Sequence, residues 1–242
     1  MDLKTLRIYF KEVNKFRREY PQNFNIWTLI KFYPAWRRSL NEKSSSITDE
    51  RPWMTFTAIE FLEKFLTADM KVYEYGSGGS TLFFAKRVKE VISVEHDKNW
   101  SEKITKELKN HDYNNWHIHL IKAVPDRSLL GEKELDPNNY LSSVNTLSCY
   151  SFKDYAESIE QYPNQYFDLV VIDGRARCSC FKHAVNKVKK SGLLVLDNAE
   201  RSNYNYIHAS LNNGNWIKHN FYGAGPYNHY FWQTCVWQKV DL

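Results

Sequence analysis

Val72-Tyr73-Glu74-Tyr75-Gly76-Ser77-Gly78-Gly79-Ser80-Thr81 is the stretch that decides the fold of this 242-residue chain. Its first four residues are β-prone. Glycines then break the run before a helical pattern over Ser80 to Val88, so it reads as strand, tight turn and helix. Glycine at the turn lets the backbone bend sharply and approach a ligand with no Cβ in the way. The next strand, Val91-Ile92-Ser93-Val94-Glu95, ends in an acid 19 residues past Gly76, where a carboxylate can take both hydroxyls of a ribose.

Outward from this unit, strands and helices alternate. The patterning predicts helices near 58–66, 100–108, 152–160 and 178–190, and strands at 117–121, 167–173 and 192–197. The segments 216–222 and 232–238 form a closing pair. Phe167–Asp173 and Gly192–Asp197 are apolar on successive residues, as parallel strands covered on both faces should be. Such alternation means a parallel sheet wrapped by helices, with ligands beyond the carboxyl ends of the strands. Upstream, Leu6, Tyr9, Phe10, Val13 and Phe16 recur at helical spacing, a second helix covers about 26–33 and stops near Pro34, and polar residues 41–46 suit a linker or exposed loop. The expected organisation is an N-terminal helical extension (1–50) and a single α/β domain (51–242).

The ligand is narrowed by Glu74. A nicotinamide site wants G-x-G-x-x-G/A and a phosphate at the helix N-terminus. Here the sixth position is Thr81, and Glu74 would be an awkward neighbour for an anion. A cationic, ribose-bearing ligand without phosphate fits better. In these residues the chain resembles the class I S-adenosylmethionine-dependent methyltransferases, whose first motif is an acid followed by G-x-G and whose second strand ends in an acid. Glu74, Gly76 and Gly78 match the first motif and Glu95 the second, with Ser80 where many members carry a third glycine. The resemblance covers roughly residues 53–240. It implies a Rossmann-like three-layer sandwich with a mostly parallel seven-stranded sheet, and a cofactor site formed by Glu74, Gly76, Ser77, Gly78, Gly79, Ser80, Glu95, His96 and Asp173.

A second acidic cluster follows. Asp173-Gly174-Arg175-Ala176-Arg177 ends one buried strand, and Leu196-Asp197-Asn198 ends the next. Asp173, Asp197 and Asn198 together suit Mg²⁺ or a similar hard cation. They resemble the metal site of the catechol and caffeoyl-CoA O-methyltransferase group, although the lysine those enzymes carry after the first Asp is replaced by Arg175-Ala176-Arg177. Asp173 or His96 could take the acceptor proton, and Arg175 could hold an anionic group of the substrate. The resulting expectation is O-methylation of a sugar, polyol or other small-molecule hydroxyl. A nicotinamide-dependent oxidoreductase and a non-catalytic S-adenosylmethionine-binding module are the rivals.

Composition bounds the partners. The net charge is +5, and residues 1–50 hold ten basic against six acidic side chains, so +4 of it lies in the extension. The main domain lacks a basic stripe, and nucleic acid is not expected as acceptor. The basic arm could rest on an anionic membrane or grip a partner, though packing of its apolar stripe on the domain is the commoner outcome. A homodimer stays open. Met1-Asp2-Leu3-Lys4 lacks the pattern of a secretory signal, and the four cysteines show neither CxxC spacing nor a disulfide framework. A cytoplasmic protein with reduced thiols is expected.

Overall fold

A computed structural model describes residues 3–129, 131, 136–142 and 145–241. Helices α1 (Leu3–Glu19), α2 (Ile26–Ser39) and α3 (Phe56–Phe65) precede the first strand. Then come β1 (Lys71–Tyr75), α4 (Gly79–Ala85), β2 (Glu90–Glu95), α5 (Lys98–Asn110) and β3 (Trp116–Leu120). A short ladder pairs β4 (Val124–Pro125) with β5 (Tyr150–Ser151). The chain continues through α6 (Lys153–Glu157), β6 (Phe167–Ile172), α7 (Arg177–Ala184) and β7 (Val188–Asp197). It closes with α8 (Asn205–Ser210), β8 (Trp216–Gly223) and β9 (Trp232–Lys239).

The seven-stranded sheet has the order β3-β2-β1-β6-β7-β9-β8. β9 runs antiparallel to β7 and β8, and the other pairings are parallel. This is the expected Rossmann-like sandwich. Strand parity sorts β1 between two core layers. Val72 joins Leu82, Val91 and Leu169 on one face, while Tyr73 and Tyr75 join Phe152, Tyr155 and Ile172 on the other. The chain leaves β1 toward β2 on one side and returns to β6 on the other, which opens a crevice above β1.

The extension shares the core of the domain. Tyr9, Val13, Phe16, Leu29 and Trp36 lie in one buried cluster with Tyr222 and Phe231. Trp36 Nε1 donates to the Asn228 carbonyl (2.7 Å), and Glu12 accepts from the Phe231 N–H (3.0 Å). Pro34 does not end α2, contrary to expectation. Pro34 and Ile30, whose carbonyl loses its partner, both lie on the exposed side, and burial of Trp36 and Ser39 holds the last turn in place. Nor is the polar segment at 41–46 a free linker. Ser45 and Thr48 exchange hydrogen bonds, Ile47 is buried, and the segment lies against the glycine turn.

Three helices are shorter than their patterns suggest, α4 among them, which stops at Ala85. α7 stops at Ala184, and residues 188–190, expected as helix, open β7 because Val188 pairs with Phe167. α6 ends at Glu157 and continues as a 3₁₀ turn to Gln161.

Candidate active site

The turn after β1 is held from below. Glu74 is completely buried and its carboxylate accepts from the hydroxyls of Ser80 (2.7 Å), Ser93 (2.6 Å) and Thr81. Parity explains this, since Glu74 pairs in register with Ser93 on β2 and points away from the tyrosine face. Glu74 therefore does not line the crevice; it staples the start of α4 to β1 and β2. Burial drives its carboxyl up to about 7, against the hydroxyl donors that favour ionisation and with help from the charge of Asp173.

Between its usual 4.5 and about 7, folded Glu74 keeps a proton that the unfolded chain has released, so stability falls as pH rises through that window. The loss is about 3 kcal/mol by the size of that displacement. Glu74→Gln should flatten this part of a stability–pH profile from urea unfolding. Asp173 and Asp197 are raised too and have the same sign, so the slope should become shallower rather than vanish. An unchanged slope in the variant would contradict the assignment.

Above the staple lies a cavity of about 400 Å³, and its walls include Gly76, Ser77, Gly78, Glu95, Asp173 and Arg175. Gly76 adopts φ +94°, and a Cβ there would come within 3.0 Å of the Gly174 Cα, so the ends of β1 and β6 touch. At Gly78 an added Cβ would meet nothing nearer than 3.9 Å, so this glycine faces open space. Gly79 differs. Its Cβ would overlap the Ser46 carbonyl oxygen and lie 2.6 Å from the Arg51 carbonyl oxygen. It also lines the cavity, and its bare Cα admits residues 46–51 of the chain.

Glu95 is 4% exposed and forms the far wall. Its Oε2 accepts from the Ser77 N–H (3.1 Å) and hydroxyl (3.2 Å). Its Oε1 accepts from the N–H groups of His96 (2.7 Å) and Asp97 (2.9 Å), with His96 Nδ1 at 2.8 Å. Burial pushes this carboxyl up, but the contacts with His96 and the N–H of Asp97 outweigh it and hold Glu95 below the usual carboxylate range. His96 thus serves Glu95 directly. Asp97 caps α5 through the Trp100 N–H (2.9 Å), and Trp100 Nε1 donates to the Ser77 carbonyl (2.7 Å).

At the opposite end the expected metal ligands meet a cation of the protein itself. Among the described residues no group of three or more His, Cys, Asp or Glu side chains could hold a metal ion. Arg177 occupies the gap between the two strand ends. Its Nη2 donates to Asp173 Oδ1 (2.9 Å) and its Nη1 to the Asp197 carbonyl oxygen (2.5 Å). Asp197 Oδ1 accepts from Thr234 (2.6 Å) and Trp232 Nε1 (2.9 Å). Burial, then the charge of Asp173, pushes Asp197 up to about 8. Asn198 turns the chain in the left-handed region (φ +50°). A guanidinium thus does the charge-neutralising work expected of Mg²⁺, and these residues do not fit the ion.

Asp173 remains available on one oxygen. Its side chain is 28% exposed and gives Oδ1 to Arg177; burial raises its carboxyl, opposed first by Arg177 and then by Arg201 and Arg175. Arg175 also lines the cavity, as its only Lys or Arg among the described residues. Ser46, Trp53 and Trp100 complete the wall without being part of any motif. Only Trp100, in the first turn of an amphipathic helix beginning three residues after Glu95, left a trace in the pattern.

The protein-L-isoaspartate(D-aspartate) O-methyltransferase family is the one whose sequence model matches, over residues 30–124. No curated protein matches the sequence significantly. The fold is similar to that of the O-methyltransferase TomG from Streptomyces achromogenes, solved with S-adenosylmethionine. That match has a TM-score of 0.57 and 12% identity, covering 86% of this chain and 95% of TomG. An rRNA methylase from Streptococcus thermophilus matches with a TM-score of 0.52 and 11% identity, over 75% of this chain and 94% of the other. A methyltransferase from Geobacter sulfurreducens matches with a TM-score of 0.51 and 10% identity, over 86% and 95%.

Proposed function

From the class I S-adenosylmethionine-dependent methyltransferase fold and motifs of this chain, we propose that it transfers the cofactor methyl group to a hydroxyl of a small molecule, with a sugar or polyol as the favoured acceptor. The observation that carries this reading is the single cavity in which the glycine turn, the Glu95 carboxylate and the Asp173–Arg175 pair face one another. S-adenosylmethionine would supply an electrophilic methyl group on a sulfonium.

The chain's own residues would do the rest by alignment. Glu95, kept ionised by His96 and the Asp97 N–H, accepts from the two ribose hydroxyls. Gly78 lets the backbone approach the cofactor, and Gly76, packed on Gly174, sets the turn that brings it there. Asp173 and Arg175 place an anion and a cation two residues apart, which matches the ammonium and carboxylate of an amino-acid end. Asp173 gives one oxygen to Arg177, and its other oxygen serves either that ammonium or, as a base, the acceptor proton. No step uses a metal ion.

Two O-methyltransferase descriptions among the matches, the isoaspartate family and TomG, support oxygen as the acceptor atom. The test is incubation of the protein with methyl-labelled S-adenosylmethionine and a fractionated cell extract. Label in a low-molecular-weight, base-stable product, undiminished by EDTA, is expected. Label appearing only in RNA, only in protein, or nowhere would overturn the reading.

A further inference from the structure

The buried stripe of α1, Tyr9, Val13 and Phe16, explains how this helix is anchored. It leaves a second set of apolar side chains unexplained. Of eleven large hydrophobic residues exposed in the described structure, five lie within α1 and α2: Leu3, Phe10, Ile26, Trp27 and Ile30. Trp27 is 75% exposed, yet its turn is fixed, because the Asn25 side chain accepts from the N–H groups of Trp27 and Thr28. The ring is held outward by a capped helix, not by a loose end.

On α1 the charges lie beside the exposed apolar side chains. Leu3 and Phe10 border an open groove of about 680 Å³ together with Arg7, Lys11, Lys15 and Arg18. None of these four cations forms an ion pair with a described residue. Glu12, which would have offset them, is turned inward to the Phe231 N–H. Glu19 is the one acid at the groove.

We propose that the outer face of α1, with Trp27 of α2, docks on an anionic bilayer surface. The alternation decides between a bilayer and a protein. A protein partner needs a contiguous apolar centre from which charge is depleted. A bilayer interface accepts separate apolar side chains among the acyl-chain ends while the basic groups between them reach lipid phosphates. The docking is peripheral, since no helix among the described residues is long and apolar enough to cross a membrane. It rests on α1 and α2 alone and is independent of the catalytic reading.

The experiment is co-sedimentation of the full chain with vesicles of phosphatidylcholine alone or mixed with phosphatidylglycerol, at low and at high salt. Binding is expected only with phosphatidylglycerol and should weaken with salt. Each of Arg7→Gln, Lys11→Gln, Lys15→Gln and Arg18→Gln should weaken it about fivefold. Trp27→Glu should reduce it roughly tenfold or more, and Trp27→Phe should restore most of it. These side chains are exposed, and unchanged thermal unfolding verifies that each variant is folded. The proposal is overturned by equal binding to neutral vesicles, by no binding at low salt, or by binding that survives the charge and Trp27 variants. It is equally overturned if the same variants abolish self-association or capture of an acidic protein while vesicle binding is absent.

Discussion

Gly79→Ala should lower the unfolding temperature by about 10 °C and remove cofactor binding. The new methyl would overlap the Ser46 carbonyl oxygen and crowd that of Arg51, and both obstacles are backbone. A flexible side chain could rotate away, but these carbonyls belong to a segment anchored on both sides by buried Ile47 and by the Arg51 N–H, which donates to the Ser46 oxygen (2.9 Å). Moving the segment strips a wall from the cavity, because Ser46 and Trp53 line it. Overpacking of this kind costs about 3 kcal/mol, and in a chain of this size each kcal/mol is roughly 2–4 °C. Gly78→Ala is the control. Its methyl meets nothing nearer than 3.9 Å, so the fold should stay within about 2 °C of the parent while cofactor binding weakens. A differential scanning measurement with and without S-adenosylhomocysteine separates the two. Equal melting of the Gly79→Ala variant and the parent would show that residues 46–51 are not held against the turn.

Glu95→Gln should weaken S-adenosylhomocysteine binding roughly a hundredfold, from two charge-assisted hydrogen bonds worth about 1.5–3 kcal/mol each. The amide fails in either orientation. Its NH₂ placed at Oε1 meets the N–H groups of His96 and Asp97, and placed at Oε2 it meets the N–H of Ser77. Donor then faces donor in a buried site, and stability falls by about 1–3 kcal/mol as well. Calorimetry with two ligands resolves which end of the cofactor is affected. The variant should lose affinity equally for S-adenosylhomocysteine and for 5′-methylthioadenosine, which has the ribose but no amino-acid end. Arg175→Ala should weaken only the former. If Glu95→Gln left ribose-bearing ligands unaffected, the cofactor placement would be wrong. If Arg175→Ala weakened both ligands alike, the charge pair at the end of β6 would have another task.

The α/β alternation, the strand–turn–helix at Gly76 and the acid ending β2 were legible in the chain because each is a local pattern. Periodicity distinguishes strand from helix, and a glycine run marks a turn whatever surrounds it. The errors have a common cause. Pro34 reads as a helix end by local rule, yet the burial of Trp36 carries α2 past it. Residues 41–46 read as a linker because they are small and polar, whereas their backbone fills the space left by Gly79. Residues 188–190 read as helix until Val188 is paired with Phe167.

The acidic cluster shows the same division. Asp173, Asp197 and Asn198 form a plausible ligand set as residue types, and the sheet does bring β6 and β7 side by side. What residue types cannot convey is that Arg177, one turn beyond Asp173, folds back between the two strand ends. Glu74 is a parallel case, a motif acid that parity directs under the turn instead of toward the ligand.

By itself, then, the sequence determined the sheet, the turn and the identity of the acids, since hydrophobic period and glycine geometry act within a few residues. Only the tertiary structure decided which acid faces the cavity, which is neutralised by an arginine, and which stretch of the N-terminal extension walls the site. Those outcomes depend on contacts between residues as far apart as Ser46 and Gly79 or Asp197 and Trp232, and charge burial at such contacts has no signature in local pattern.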